Sequence, residues 1–204
     1  MRSFAIISIF VILCSYSNSV IFECEFTLIN IMNIKKTYKC TLKNLDISHN
    51  NETVHNVTGI HKDEKESKDV NILIIENQVC YYLPNDINLH FPQLYHLDIK
   101  NSGLKSITKT EMKMFPKLKY LYIRNNPIEI IPENVFEFNP LLEFISLDDN
   151  RIRSIGTNVF GSLNNLISLS VEHNICIDNF AMEEEPLKNL IQEINVKCKF
   201  YSMQ

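Results

Sequence analysis

The sequence of 204 residues contains no tryptophan and only four glycines. So little glycine leaves scant material for phosphate-cradling loops, and neither G-x-x-x-x-G-K-[ST] nor G-x-G-x-x-G occurs. The hydrolase signature G-x-S-x-G and the metalloprotease signature H-E-x-x-H are missing too. Neither sign of charge dominates: 20 Lys and Arg stand against 24 Asp and Glu, giving a formal net charge of −4 and a pI near 5.9. Without a basic surplus there is no general electrostatic case for nucleic-acid binding. The remaining composition, 45% hydrophobic and 22% charged, excludes a disordered polyelectrolyte and suffices for one core, or two at most.

Long apolar runs are confined to the first residues. Met1-Arg2 makes a short positive start, Phe4 to Cys14 is apolar, and Ser15, Ser17 and Ser19 offer small residues at cleavage positions. The pattern predicts a secretory signal peptide over residues 1–19, cut after Ser19 or Ser17. Its apolar run is too short to span ~30 Å of hydrocarbon at ~1.5 Å per residue, which favours cleavage over a membrane anchor. The last residues, Lys199 to Gln204, carry neither a hydrophobic tail nor a lipidation motif. A free, secreted extracellular chain is expected. Loss of Arg2 takes the net charge to −5, and loss of Cys14 leaves Cys24, Cys40, Cys80, Cys176 and Cys198. Cysteines tend to pair outside the cell, so one of these is left over.

Internal periodicity decides the fold. Leu94, Leu118, Leu142 and Leu166 follow one another at intervals of 24 residues. Each opens a segment of the form L-x-x-L-x-L-x-x-N-x-L. The copies read Leu94, Leu97, Ile99, Ser102, Leu104; Leu118, Leu121, Ile123, Asn126, Ile128; Leu142, Ile145, Leu147, Asn150, Ile152; and Leu166, Leu169, Val171, Asn174, Cys176. The second half of the unit recurs as Ile107-Met112-Phe115, Ile131-Phe136 and Ile155-Phe160-Leu163. A weaker copy precedes them at Val70, Leu73, Ile75, Gln78, Cys80 and Leu83, and Leu42, Leu45, Ile47 and Asn50 form a truncated one.

This pattern resembles the leucine-rich repeat, in its 24-residue extracellular subclass, over roughly residues 70–176. The resemblance implies an α/β solenoid with a curved parallel sheet on its concave face and short helical or irregular segments on the convex side. Alternating apolar residues such as Leu97 and Ile99 suit a strand with one face buried. An Asn at the ninth position both donates and accepts, so Asn126, Asn150 and Asn174 are expected to stack as a ladder that satisfies inward-turned backbone groups. Ser102 and Gln78 are weaker substitutes.

The expected organisation is an N-terminal cap and linking loop over 20–69, repeats over 70–175, and a C-terminal cap over 176–204. Leu187, Leu190, Ile191 and Ile194, with Pro186 near the start, predict a helix in the last cap. We expect Cys24 to pair with Cys40 and Cys176 with Cys198, as in the cysteine-braced caps of extracellular relatives. Cys80 occupies a consensus leucine position, as a buried free thiol or as one half of an intermolecular disulfide.

Binding residues are sought on the outward positions of the strands. Successive columns read Ile72, His96, Tyr120, Phe144, Ser168; Ile74, Asp98, Tyr122, Ser146, Ser170; Glu76, Lys100, Arg124, Asp148, Glu172; and Asn77, Asn101, Asn125, Asp149, His173. Strands ~4.8 Å apart bring His96, Lys100, Tyr120, Tyr122, Arg124 and Phe144 towards one candidate partner-binding patch. Aromatics with Arg are enriched at interface centres. The competing reading is a solvated sheet stabilised by its own stacking and by pairs such as Glu76 with Lys100 and Arg124 with Asp148.

Asn51-Glu-Thr53 and Asn56-Val-Thr58 are glycosylation acceptors. The spacing of His49, His55 and His61 does not suit a metal site, so these read as solvated loop residues. The charged runs His61 to Asp69 and Glu183 to Glu185 read as exposed loops. No cofactor, metal or catalytic residue is implied.

The chain looks most like the short secreted leucine-rich repeat proteins of insects, without the heptad coiled-coil tail of the mosquito immune members. A protein or microbial-surface ligand bound on the concave face is the expected function, in innate immunity or extracellular signalling. A self-associating matrix protein is the alternative, and an inhibitor of a secreted enzyme a weaker third.

Overall fold

A computed structural model describes residues 19–31 and 35–199; of the expected signal peptide, only Ser19 falls within them. The chain begins with an antiparallel pair, β1 (Ser19–Ile31) and β2 (Lys35–Lys43). Phe22, Cys24 and Phe26 are buried while Ile21, Glu23 and Glu25 are exposed, the alternation of a strand that covers a core with one face. The short β3 (Asp46–Ile47) follows, then β4 (Thr53–Thr58), β5 (Ile72–Glu76) and β6 (Val79–Cys80). Beyond the helical turn α1 (Ile87–His90) comes β7 (His96–Lys100), and beyond α2 (Lys109–Met112) comes β8 (Tyr120–Arg124). The remaining elements are β9 (Ile130–Ile131), β10 (Phe144–Ser146), β11 (Ser154–Ile155), β12 (Ser168–Ser170), β13 (Phe180–Met182) and α3 (Glu184–Lys197).

Among the described residues nine strands form one sheet, in the order β13-β12-β10-β8-β7-β5-β2-β1-β4. Pairing is parallel from β2 through β12, in a register that advances by 24 residues from β5 onward: Leu73 faces Leu97, Leu97 faces Leu121, Leu121 faces Ile145, and Ile145 faces Leu169. These residues, with Ile75, Ile99, Ile123, Leu147 and Val171, are buried on the inner face. Behind them Phe91, Phe115, Phe136, Phe160 and Leu163 fill the opposite side of the same core.

At the end of each strand the chain turns inward through a left-handed residue. Asn77, Asn101, Asn125, Asp149 and His173 all have φ between 50° and 56°. Asn, Asp and His tolerate this region better than other side-chain-bearing residues. This column was expected on the binding face; its residues instead make the turns, and Asn125 Nδ2 donates to Asn101 Oδ1 as Asn101 Nδ2 does to Asn77 Oδ1.

The next residue is the ladder position. Asn126 Oδ1 accepts from the Ser102 and Leu104 amides, and its Nδ2 donates to the Ile99 and Arg124 carbonyls. Asn150 Nδ2 donates to Ile123, Leu147 and Asp148 carbonyls, but its Oδ1 has no partner. Asn174 accepts from the Ile152 amide and is half-buried rather than buried, because it is the last rung. Ser102 Oγ donates to the Ile75 and Lys100 carbonyls, and Gln78 Oε1 accepts from the Leu45 amide, so both substitutes fill their rungs.

The truncated first copy is displaced from its expected register. Cys40 faces Leu73, so 33 residues rather than 24 separate the first two parallel strands. Cys40 and Leu42 therefore occupy the strand positions expected for Leu45 and Ile47. Leu45 sits opposite the Gln78 rung, and Ile47 pairs with Cys80. Asn50 lies outside the ladder and accepts from the Asn51 amide.

Disulfides join Cys24 to Cys40 across β1 and β2, and Cys176 to Cys198 across the last turn and the end of α3. Leu187, Leu190 and Ile194 on α3 are buried against the final repeat. Glu184 and Glu185, expected in a loop, form the first turn of this helix, where acidic side chains oppose its positive end. The run from His61 to Asp69 is largely an exposed connection with a short 3₁₀ turn at Ser67–Asp69. Cys80 is free and fully buried, and burial pushes its thiol up to about 12.

Two outcomes follow for stability and reactivity. Asn126→Ala and Asn150→Ala are each expected to cost about 1–3 kcal/mol in urea unfolding. Asn126→Ala is the costlier, since it strands two amides that Asn150→Ala does not; equal midpoints for wild type and both variants would refute the ladder. Thiol reagents at neutral pH should leave Cys80 unmodified in the folded protein and label it in urea, read by peptide mass mapping.

Candidate binding surface

The outward side chains of β7, β8 and β10 meet on the open face of the sheet. Register sets His96, Tyr120 and Phe144 in one row and Asp98, Tyr122 and Ser146 in the next. The Tyr120 and Phe144 rings stack with centroids 5.3 Å apart. His96 lies 5.6 Å from Tyr120 and 5.2 Å, edge-on, from Tyr122. The Arg124 guanidinium sits over Tyr122 at 5.3 Å. Five of the six expected residues thus form one continuous cluster. Lys100 reaches Glu76 at 3.5 Å on the rim, where an exposed pair contributes roughly 0–1 kcal/mol.

Arg124 does not take the expected partner. Its Nη2 bonds Asp98 Oδ2 at 2.9 Å, a diagonal neighbour across the β7–β8 pair. Asp148 instead accepts from the hydroxyls of Ser146 and Ser170 and from the Glu172 amide. The small serines let the Asp148 carboxylate settle among nearby donors.

The cluster is less satisfied than its contacts suggest. His96 Nε2, Asp98 Oδ1 and Arg124 Nε are all shielded from solvent without a hydrogen-bond partner. Burial holds the His96 imidazole below its ordinary 6.5, with Arg124 adding to the shift and Asp98 opposing it. Burial likewise raises the phenols of Tyr120 and Tyr122. At neutral pH the patch presents neutral rings around one paired arginine.

Beside the patch lies a hollow that the repeat pattern did not reveal. It measures about 340 Å³ and is lined by Tyr122, Arg124, Phe144, Ser146, Asp148, Ser168, Ser170, Glu172 and Phe180. Its far wall belongs to β13, whose Phe180 faces Ser170 and whose Met182 faces Ser168 in an antiparallel register. Nothing in a 24-residue repeat announces a returning strand. The available signal was a pair of large apolar residues, Phe180 and Met182, on alternate positions outside the repeats.

The other singled-out residues are dispersed. Asn51 and Asn56 are exposed, the first in a left-handed turn and the second on the edge strand β4. His61 is not a freely solvated loop residue: its ring stacks on Phe26 at 4.1 Å, and Nδ1 meets Tyr38 Oη at 2.9 Å. His49 contacts Ser48 Oγ. Among the described residues no helix is long and apolar enough to cross a membrane.

The repeats and their open sheet define a leucine-rich repeat solenoid, and residues 92–152 match the leucine-rich repeat family. A chain from the structure of the Toll–Spatzle complex of Drosophila, described as a molecular hub in development and innate immunity, is similar in fold at a TM-score of 0.50 and 21% identity. The alignment covers 58% of this chain and 16% of that one, so this protein spans about one sixth of its neighbour's length. No curated protein matches the sequence.

His96 supplies a pH test. A group with a depressed folded-state pKa contributes fully above its unfolded value, and that stability is lost as pH falls below 6.5 toward the lowered folded value. In denaturant titrations at about pH 7.5 and about pH 5, wild type should lose more stability on acidification than His96→Gln. Identical losses would show that His96 titrates as it does in the unfolded chain.

Proposed function

We propose that the protein is a secreted binding module that recognises an extracellular protein partner through His96, Lys100, Tyr120, Tyr122, Arg124 and Phe144. One observation carries this reading: an aromatic cluster with an embedded arginine projects from the open face of a sheet whose core is already complete on the other side. No packing requirement accounts for large rings there, and such residues dominate the energetics of protein interfaces. The fold neighbour is a chain of a complex between Toll and Spatzle, which supports protein recognition and a setting in extracellular signalling or innate immunity.

Secretion is supported by the leader pattern of residues 1–19 and by two disulfides bracing the ends of the repeat array. Asn51 and Asn56 are accessible to glycosylation. Strands β1, β2 and β5 separate β4 from the patch on β7 and β8, so glycans there leave the patch open. The face reads as a recognition surface: its rings cluster around Arg124, which pairs with Asp98 at 2.9 Å.

The test is affinity capture from the extracellular fluid of the source organism, comparing wild type with a Tyr120→Ala, Tyr122→Ala, Arg124→Ala variant. Matched melting curves establish that both are folded. A protein retained by wild type and lost by the variant is expected, because removal of clustered anchors commonly costs more than ~2 kcal/mol each. Equal retention by both would overturn the assignment of this patch.

A further inference from the structure

We propose that the hollow between the aromatic patch and β13 receives the side chain of a lysine or arginine from an extended segment of the partner. This rests on the reading of the open face as a protein-binding surface and assigns the chemistry that one part of it selects.

The hollow arises from a change of side-chain size along two rows. One row runs His96, Tyr120, Phe144, Ser168 and ends at Met182 on β13. Its neighbour runs Asp98, Tyr122, Ser146, Ser170 and ends at Phe180. Serines between two walls of large residues leave a trough of about 340 Å³. That is near the lower limit of small-molecule pockets and suits one long side chain.

Its lining selects the charge. Tyr122, Phe144 and Phe180 line it with apolar surface that an aliphatic stem can contact, and Ser146, Ser168 and Ser170 lie between them. Asp148 and Glu172 stand at one end, and among the described residues no lysine or arginine forms an ion pair with either. Arg124, the nearest cation along the row, is committed to Asp98 at 2.9 Å. Hydrogen bonds from the Ser146 and Ser170 hydroxyls and the Glu172 amide fix the Asp148 carboxylate in place. Glu172 accepts only a long 3.4 Å contact from Ser170. An acidic side chain would meet two carboxylates that no described lysine or arginine pairs, and a purely apolar one would leave both without a cation. Lysine and arginine satisfy both halves, laying methylenes on the rings and placing a cation at the acidic end, with the rings adding cation–π attraction.

Three otherwise identical Gly/Ser heptapeptides with a central lysine, norleucine or glutamate provide the probe, titrated into the full protein with chemical shifts as readout. Saturable shifts at Ser146, Ser170 and Phe180 are expected with the lysine peptide. Norleucine should bind about tenfold more weakly, and glutamate weaker still, since a charge-assisted contact of ordinary strength gives about that ratio. Glu172→Gln and Phe180→Ala, both at exposed positions, should each weaken the lysine peptide by about threefold or more. Norleucine binding as well as lysine, both variants binding unchanged, or no saturable shift up to about 10 mM would each overturn the proposal. Failure here with partner capture intact removes only the hollow's assignment. Lysine-peptide binding alongside partner retention by the triple variant removes the aromatic patch instead.

Discussion

One hydrogen-bonding side chain per repeat underlies the rest of this structure. Each inward turn buries main-chain amides and carbonyls that neither strand nor solvent can satisfy. A side chain at the turn supplies the missing partners, and it does so between repeats: Asn126 bonds Ser102, Leu104 and Ile99, while Asn150 bonds Ile123. Coupling of this kind holds the spacing at 24 residues and keeps equivalent positions opposite each other on successive strands. The core follows, because every leucine position then lands on the same inner face. So does the outer face, whose rows are continuous only while the register is kept.

The rings of the outer rows, on β7, β8 and β10, lie outside the hydrophobic core, and polar atoms among them go unpaired. Three shielded polar atoms, on His96, Asp98 and Arg124, lack partners. Leaving such groups unsatisfied generally costs about 1–3 kcal/mol each. A sheet selected for stability alone would use threonines or paired charges there, as the rim does with Glu76 and Lys100. Asn139 Oδ1 and Asn150 Oδ1 inside the structure lack partners as well, so it is the outward rings, and not these atoms, that support binding.

The repeats were legible in the sequence because one short pattern recurs in register, and chance does not align so many buried positions. Departures from the pattern were illegible for the same reason. The first parallel strand carries Cys40 where a leucine was sought, since that residue also bridges to Cys24, and an insertion lengthens its spacing to 33 residues. Asn139 is fully buried 24 residues beyond Phe115, donating to the Met112 and Phe115 carbonyls, a core role that its polarity conceals. At the candidate site, columns were readable from spacing, but pairing was not. Whether Arg124 turns towards Asp98 or Asp148 depends on side-chain direction and on the serines competing for Asp148, and neither is a property of period.

The two ends of the sheet resolve an open repeat array in different ways, and this bears on where a partner can sit. At the N-terminal end an antiparallel pair and the edge strand β4 extend the sheet past its repeats, and both glycosylation acceptors lie there. At the other end a single short strand returns antiparallel and α3 closes the core behind it. That return places Phe180 on the same face as Tyr122 and Phe144, with only serines between. The C-terminal cap therefore does two things with one element: it joins the hydrophobic core through Ala181 and extends the open face through Phe180, beside the residues proposed to bind a partner. Contact with a partner on the proposed face would then centre on the later repeats and their cap, leaving the edge that carries the two N-x-[ST] motifs at the periphery.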